Sequence, residues 1–428
     1  MSQYQTHNEL TTHEDKTKGN PENNKYYNAP AKGISYFTPA QFPPAGTLLE
    51  AADGQPKPKL FTPLEIRGMT MQNRIMLSPL CQYSAEDGHY TPWHITHLGG
   101  ILQRGPGLTT VEATAVMENG RITPQDNGLW KDSQIGPLSQ IVEFAHSQGQ
   151  KIMIQLAHAG RKASTVAPWI SGGMLATEDI DGWPDSVWAP SAIPFSDTYP
   201  KPLAMSKAQI EEFKSAWGAS VKRALKVGFD CIEIHVAHGY LLHEFLSGVS
   251  NTRTDEYGGS FENRTRIVLE TVKITRDIIP KDMPLFLRIS ATDWLEENEN
   301  KELVEKSWKV EDTVKLAKIL AESGVDVLDV SSGGNHEEQH IHAKPAYQAP
   351  FALAVKKEVG DKMLVGTVGS LDNAKLAEKQ LQQGLDIATV GRGFQKNPGL
   401  VFAWADELGV KVRMPNQIAW GFAGRGKK

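Results

Sequence analysis

Cysteine is almost missing from this 428-residue chain: Cys81 and Cys231 are its only two, far apart and in no spaced set. That excludes a disulfide framework and a cysteine-ligated iron–sulfur cluster, and it fits a reducing compartment. Long apolar runs are missing as well, and the first thirty residues are polar with no leader-like apolar stretch, so the expectation is a soluble cytoplasmic protein. Charge of one sign is not in excess. With a formal net charge of -5 and basic residues spread along the chain, there is no electrostatic footprint for nucleic acid or an anionic membrane. Small molecules are the expected partners. No G-x-G-x-x-G follows the first apolar run, which counts against an open dinucleotide-binding sheet. No helix-borne H-E-x-x-H and no cysteine pair at ligand spacing are present, so no metal site is expected.

What the chain has in abundance is alternation. From Lys59 onward, short apolar runs trade places with longer amphipathic stretches through eight rounds. The strand candidates are 74–79, 108–116, 151–156, 231–236, 284–290, 325–331, 362–368 and 386–391. Helical candidates lie at 93–104, 137–148, 206–227, 262–279, 309–323, 347–358, 371–383 and 399–408. Continuous apolar strands separated by helices imply parallel strands buried on both faces. Eight such rounds predict an α/β fold, a (β/α)8 TIM barrel, over residues 59–412. A polar, Pro/Gly-rich N-terminal extension (1–58) precedes it and a short tail (413–428) follows. Most of the extension is expected to be mobile or draped, with Tyr36 and Phe37 able to pack as an arm. Residues 164–205, after the third strand, have no sustained period and contain Trp169, Trp183 and Trp188; a loop this long reads as a lid or binding loop. The acidic run EENENKE (296–302) reads as a solvated excursion.

In such a barrel the chemistry sits at the C-terminal ends of the strands, and the unusual residues fall there. The stretch DCIEIHVAHGYLLHEFL is the clearest case: alternation places Cys231, Glu233 and His235 on one face, and the strand ends in His235, His238, Gly239 and Tyr240. A histidine at a strand end is often only bonded to a neighbouring loop, but two imidazoles and a phenol beside a glycine turn favour a site. Ser78, Pro79 and Cys81 end the first strand, Ala113 the second, Gln155 and His158 the third, and Arg288 the fifth. Ser331 to Gly334 follow the sixth, Gly366 and Gly369 the seventh, and Gly391 and Arg392 the eighth. The last glycines and the Arg of GRGFQKNPGL suit a phosphate. Arg288, deep in the mouth, needs negative charge nearby: an ion pair with Glu112 or Asp329 is one reading, and a cofactor ring that becomes anionic on reduction is the other. Gln155 is placed to bond such a ring and the small Ala113 to leave room for it. Cys81 reads as tuning a cofactor ahead of covalent catalysis, and Cys231 as core.

The segments LFTPLEIRGMTMQNRIMLSPLCQYS, EATAV, GRITPQDNGLW, IQLAHAGRKAS, GFDCIEIHVAHGYLLHEFLS, SNTRTDEYGGSFENR and TVGRGFQKNP resemble, in this order, the Old Yellow Enzyme family of flavin-dependent ene-reductases. Ser-Pro-x-Cys-x-Tyr at 78–83 and His-x-x-His at 235–238 are similar to its thermophilic-like branch. The resemblance implies non-covalent FMN in a (β/α)8 barrel, reduced by NADPH or NADH and reoxidised by an activated alkene through hydride transfer from the flavin N5. His235 and His238 match the pair that binds the substrate oxygen, Tyr240 the proton donor and Tyr83 a second substrate-contacting phenol. Ser78, Pro79, Leu80, Cys81, Ala113 and Gln155 match flavin-contacting positions, and Arg288 the cation at the flavin's N1/C2 edge. Gly369, Gly391 and Arg392 match the phosphate end. One departure stands out: Trp420 lies where some members carry an Arg that reaches a neighbouring subunit, with Arg425 displaced by several residues, so a homodimer with shared sites is only one possibility. A flavin-free barrel lyase or hydrolase acting on a phosphorylated substrate is the alternative function; Lys162 is the lysine it would have near the mouth.

Overall fold

The computed structural model of the chain describes residues 26–51 and 56–423. Eight parallel strands close into a barrel: β1 (Ile75–Leu77), β2 (Leu108–Ala115), β3 (Ile152–Ala157), β4 (Cys231–Val236), β5 (Leu285–Ser290), β6 (Val327–Ser331), β7 (Leu364–Thr367) and β8 (Ile387–Val390). Each strand pairs with the next in sequence, and β8 closes on β1. All eight match the predicted apolar runs to within two residues at either end.

The helices between them are α1 (Pro92–Leu102), α2 (Ile135–Ser147), α3 (Lys207–Val227), α4 (Leu241–Leu246), α5 (Phe261–Ile278), α6 (Lys301–Lys306), α7 (Val310–Glu322), α8 (Ala349–Val359), α9 (Ala374–Gln382), α10 (Arg392–Lys396), α11 (Leu400–Glu407) and α12 (Asn416–Ala423). Helix α3 shows why such a stretch is a helix. The Ser206 side chain accepts from the Gln209 amide, the Gln209 side chain accepts from the Ser206 amide, and Gly228 ends the helix at φ 99°. Ile210, Phe213, Trp217, Val221 and Ala224 then recur at helical spacing and are buried against the sheet.

Every barrel strand is buried on both faces, yet the alternation survives in which cluster each side chain joins. Ile232, Ile234 and Val236 pack outward among the helices. Cys231 points to the other side, into an apolar plug made of Met76, Leu108, Met153, Cys231, Phe286, Val327 and Ile387 with Leu364 beside them, one residue from each strand. A hairpin of Leu64–Ile66 and Met69–Met71 caps this plug from outside. The barrel thus has a filled floor, and only the end where the strands stop is left for chemistry.

Part of the N-terminal extension is an arm. Leu48–Glu50 pairs antiparallel with Lys411–Val412, the Ser35 amide donates to Glu143 at 2.6 Å, and the Tyr36 hydroxyl bonds Ser147 Oγ at 3.2 Å, whereas Phe37 is exposed. Gln41 accepts from the Asn416 amide at 2.9 Å and donates to Gln417 at 2.7 Å, so the arm also seats α12, on which Trp420 is exposed. The expectations of mobility for residues 1–25 and 52–55, and the position of Arg425, lie outside the described residues.

The 164–205 segment forms short turns, Glu178–Ile180 and Pro184–Ser186, and a two-residue pairing of Trp188–Ala189 with Leu203–Ala204. In the acidic run, Glu296, Glu297 and Glu299 are exposed, and Asn300 caps α6, a short helix that the charged composition concealed. Among the described residues no helix is long and apolar enough to cross a membrane.

Because Phe286 fills the floor with no exposure, Phe286→Ala is expected to destabilise the barrel by about 3–5 kcal/mol. A clear fall in the thermal midpoint followed by circular dichroism checks this, and an unchanged midpoint would mean the floor is not the plug described.

Candidate active site

Parallel register decides which inward side chains meet above the floor. Gln155 on β3 stands opposite Glu233 on β4, His235 opposite Arg288 on β5, and Arg288 opposite Asp329 on β6. Gln155 Nε2 donates to Glu233 Oε1 at 2.7 Å, and that oxygen lies 3.8 Å from Arg288 Nε. Arg288 Nε donates to Asp329 Oδ2 at 2.7 Å, its Nη2 bonds the same carboxylate, and Nη1 donates to Ser78 Oγ at 3.1 Å. Thr389 Oγ1 donates to the other Asp329 oxygen at 3.2 Å. Of the two partners left open by the sequence, Asp329 is the one. Glu112 instead accepts from the Gln82 amide at 2.9 Å and lies 3.6 Å from His94. Burial works against the Arg288 charge, but Asp329 and then Glu233 hold the guanidinium above its ordinary value. Glu233 is pushed up by burial against the pull of Arg288, and its Oε2 is buried with no partner among the described residues.

Above this layer opens a cavity of about 290 Å³. Ser78, Pro79 and Leu80 form one wall, and His238, Arg288 and Ser331 line its inner end. Gly369, Gly391 and Arg392 lie at its border, as the sequence suggested. Gly369 sits at φ 110°, and a Cβ there would come within 2.6 Å of Gln348 Nε2. Backbone access at that end therefore depends on glycine. Tyr347 and Gln348, at the end of the β6 loop, and Asp372, after β7, also border the cavity; the sequence marked them only as near the starts of helical stretches, 347–358 and 371–383. Gln348 is itself fixed, donating to Val368 O at 2.8 Å and accepting from Ser332 Oγ at 2.6 Å.

The remaining predicted residues gather beside the cavity. The His235 ring lies 5.2 Å from the His238 ring and 5.0 Å from the Tyr240 ring, each nearly perpendicular. Tyr240 and Ala113 share a small void with Asp126. Tyr83 packs edge-on against Trp169 of the long loop at 5.6 Å. His158, another strand-end candidate, is buried and donates no bond to this cluster; its Nδ1 accepts from the Gly160 amide at 3.0 Å.

The turn that carries His238 and Tyr240 is left-handed, with φ 61° at His238 and 71° at Gly239. Gly239 has no substitute, since a Cβ would lie 2.1 Å from Gly334 O. Side chains hold the backbone of this turn. The His238 amide donates to Ser290 Oγ at 2.9 Å, and the Gly239 amide donates to His243 Nδ1 at 3.0 Å. His243 Nε2 in turn lies 3.1 Å from Asp293. The His238 carbonyl accepts from Lys162 Nζ at 3.0 Å.

Burial, the two histidines' mutual proximity and Arg288 hold His235 well below the usual imidazole range. Burial and Arg288 bring His238 down to about 3. Burial raises the Tyr240 phenol well above its ordinary value, and burial with Asp126 and Glu112 raises the Cys81 thiol. At neutral pH the site thus holds two neutral imidazoles, a protonated phenol and a protonated thiol around one fixed cation.

These residues fit FMN: glycine backbone and Arg392 suit a phosphate, and Arg288 suits an electron-rich flavin edge. The comparisons agree. The model of the NADH:flavin oxidoreductase / NADH oxidase family matches residues 59–409. An NADH:flavin oxidoreductase of Gibberella zeae is 57% identical over 404 residues, covering 94% of this chain and 97% of that protein. An NADPH dehydrogenase of Geobacillus thermodenitrificans is 41% identical over 366 residues, covering 85% and 98%. Among solved structures, morphinone reductase superposes with a TM-score of 0.66 at 26% identity, covering 84% of this chain and 92% of that one. The chain belongs to the NADH:flavin oxidoreductase / NADH oxidase family, that of Old Yellow Enzyme, and is an oxidoreductase that works with FMN and a nicotinamide nucleotide.

Proposed function

We propose that the protein is an ene-reductase acting on small α,β-unsaturated carbonyl or nitro compounds in the cytoplasm. The observation that carries this reading is the meeting of two neutral histidines and a protonated tyrosine beside the cavity, which His238 itself lines. FMN, reduced by the nicotinamide nucleotide, supplies the hydride taken up at the alkene's β-carbon.

The chain supplies position and polarity. His235 Nδ1 accepts from the Ala237 amide at 3.2 Å, which leaves the proton of a neutral ring on Nε2. His238 Nε2 lies 2.7 Å from Ser331 Oγ. The Ser331 hydroxyl also reaches Gln348 Oε1 at 3.3 Å; when it turns to donate to His238 instead, the imidazole proton is left on Nδ1. Two N–H donors then polarise the substrate oxygen and stabilise the enolate-like charge as it develops. Neutral imidazoles suit this task, because they donate hydrogen bonds without giving up a proton. That step falls to Tyr240, which protonates the α-carbon as general acid. Tyr83, beside Trp169, bounds the substrate side, while the protonated Cys81 thiol tunes the flavin instead of attacking substrate. Lys162 bonds backbone carbonyls, which counts against the flavin-free lyase that would need it as a Schiff base.

Purified protein is expected to be yellow, to bleach anaerobically with NADPH and to recover its colour with cyclohexenone. A holoenzyme that no member of a panel of enones, maleimides and nitroalkenes reoxidises would overturn the reading. Tyr240→Phe is expected to slow the oxidative half-reaction about a hundredfold and to spare flavin reduction, as stopped-flow absorbance resolves; equal slowing of both would remove Tyr240 as the proton donor.

The His235 and His238 imidazole resonances are expected not to titrate between pH 5 and 8. The sign for stability follows. Between the ordinary value of 6.5 and about 3, His238 binds a proton only in the unfolded chain, so stability falls as pH drops through 6.5. Nuclear magnetic resonance with denaturation at several pH values checks both, and a His238 resonance moving near pH 6.5 would contradict its neutral-donor role.

A further inference from the structure

Lys162 ends the short turn Gly160–Lys162 after β3, and it is half-buried at the mouth without lining the flavin cavity. Its ammonium donates to two backbone carbonyls from different corners of the barrel: His238 O at 3.0 Å and Gly334 O. Those corners are in contact so close that a Cβ at Gly334 would lie 2.6 Å from the His238 backbone. Two carbonyl dipoles therefore converge on Lys162 Nζ, whose pKa is brought down to about 7 by burial and then by Arg161. Over the same ammonium, 4.1 Å away, lies the ring of Phe195 from the long 164–205 loop. The adjacent Arg161 repeats the pattern, with Nη1 donating to Ile193 O and Pro194 O at 3.3 Å each and Nη2 bonding Asn335 O. The Arg161 amide is in turn held by Glu244 at 2.8 Å.

We propose that Lys162 is a positioning residue that couples the 164–205 loop, through Phe195, to the left-handed turn presenting His238. The assignment rests on the ene-reductase reading, in which His238 donates to the substrate oxygen. A left-handed backbone at a residue other than glycine is intrinsically disfavoured and persists only where its surroundings over-determine it. Ser290 and His243 fix the two amides of this turn from within the barrel. Lys162 fixes the carbonyl, and of the three it is the one that touches the substrate-side loop. Phe195 shields the ammonium from water, which strengthens its charge-assisted bonds. The sequence of a loop that never touches His238 thereby reaches the angle at which His238 is held.

The test uses holoenzyme. Lys162→Met removes the charge at similar length, and Lys162→Arg retains it. Phenol binding is read from the charge-transfer band of the oxidised flavin, and the two half-reactions are followed separately. Lys162→Met is expected to weaken phenol binding and slow the oxidative half-reaction about tenfold each, the order expected of one charge-assisted hydrogen bond, with FMN content and flavin reduction by NADPH unchanged. Lys162→Arg is expected to restore most of both losses. In a His238→Ala background, Lys162→Met is expected to weaken phenol binding no further, because it acts through that ring. Unchanged phenol affinity in Lys162→Met, full additivity with His238→Ala, or an equal loss of FMN content and both half-reactions would overturn the assignment. Should Lys162→Met fail to fold, Phe195→Ala decides in its place: weaker phenol binding supports the coupling and wild-type binding refutes it. A wild-type holoenzyme that binds phenol normally isolates failure to Lys162; one with no phenol band removes the ene-reductase reading and this assignment together.

Discussion

A guanidinium cannot stay charged inside a protein unless its surroundings answer it, and the mouth of this barrel is arranged around that demand by Arg288. Asp329 answers it directly, Glu233 from 3.8 Å and Ser78 through its hydroxyl. Asp329 is satisfied in turn by Thr389, and one Glu233 oxygen by Gln155, while the other stays buried without a partner among the described residues. The result is a polar belt running through β3, β4, β5, β6 and β8, directly above an apolar floor. The belt fixes where a flavin's electron-rich edge can lie. Burial first, with the Arg288 charge adding to it, keeps both neighbouring histidines unprotonated.

The floor and the belt divide the barrel by height. Below, one apolar side chain per strand carries stability; above, polar groups carry chemistry at a cost that the floor offsets. The turn that carries His238 and Tyr240 belongs to neither layer. Its left-handed backbone rests on Ser290, His243 and Lys162, from three different elements, so its shape depends on the packing of the whole rim.

Much of this was legible in the sequence because it is periodic or local. Apolar runs alternating with amphipathic stretches marked all eight strands, and simple alternation placed Cys231, Glu233 and His235 on the inward face. Strand ends collected Ser78, Pro79, Leu80, His238, Arg288, Gly369, Gly391 and Arg392, which the fold brings to one cavity. What stayed hidden depends on register or on distant pairing. Asp329 and Glu112 were equal candidates for Arg288 until the strands were aligned. Phe195 sits in an aperiodic connection, where position follows from what the loop rests on, and Tyr347 and Gln348 stand just before α8, where a helical pattern does not say what they face. The arm's pairing of Leu48–Glu50 with Lys411–Val412 joins segments more than 350 residues apart, a contact that local pattern does not encode.

The floor has one more consequence. It seals Cys231 at zero exposure among methionines and branched side chains, whereas Cys81 is partly accessible beside the flavin cavity. Burial holds the Cys81 thiol protonated as well, so neither cysteine of the folded enzyme is a ready nucleophile, and rapid labelling of Cys231 would mark the moment the barrel opens.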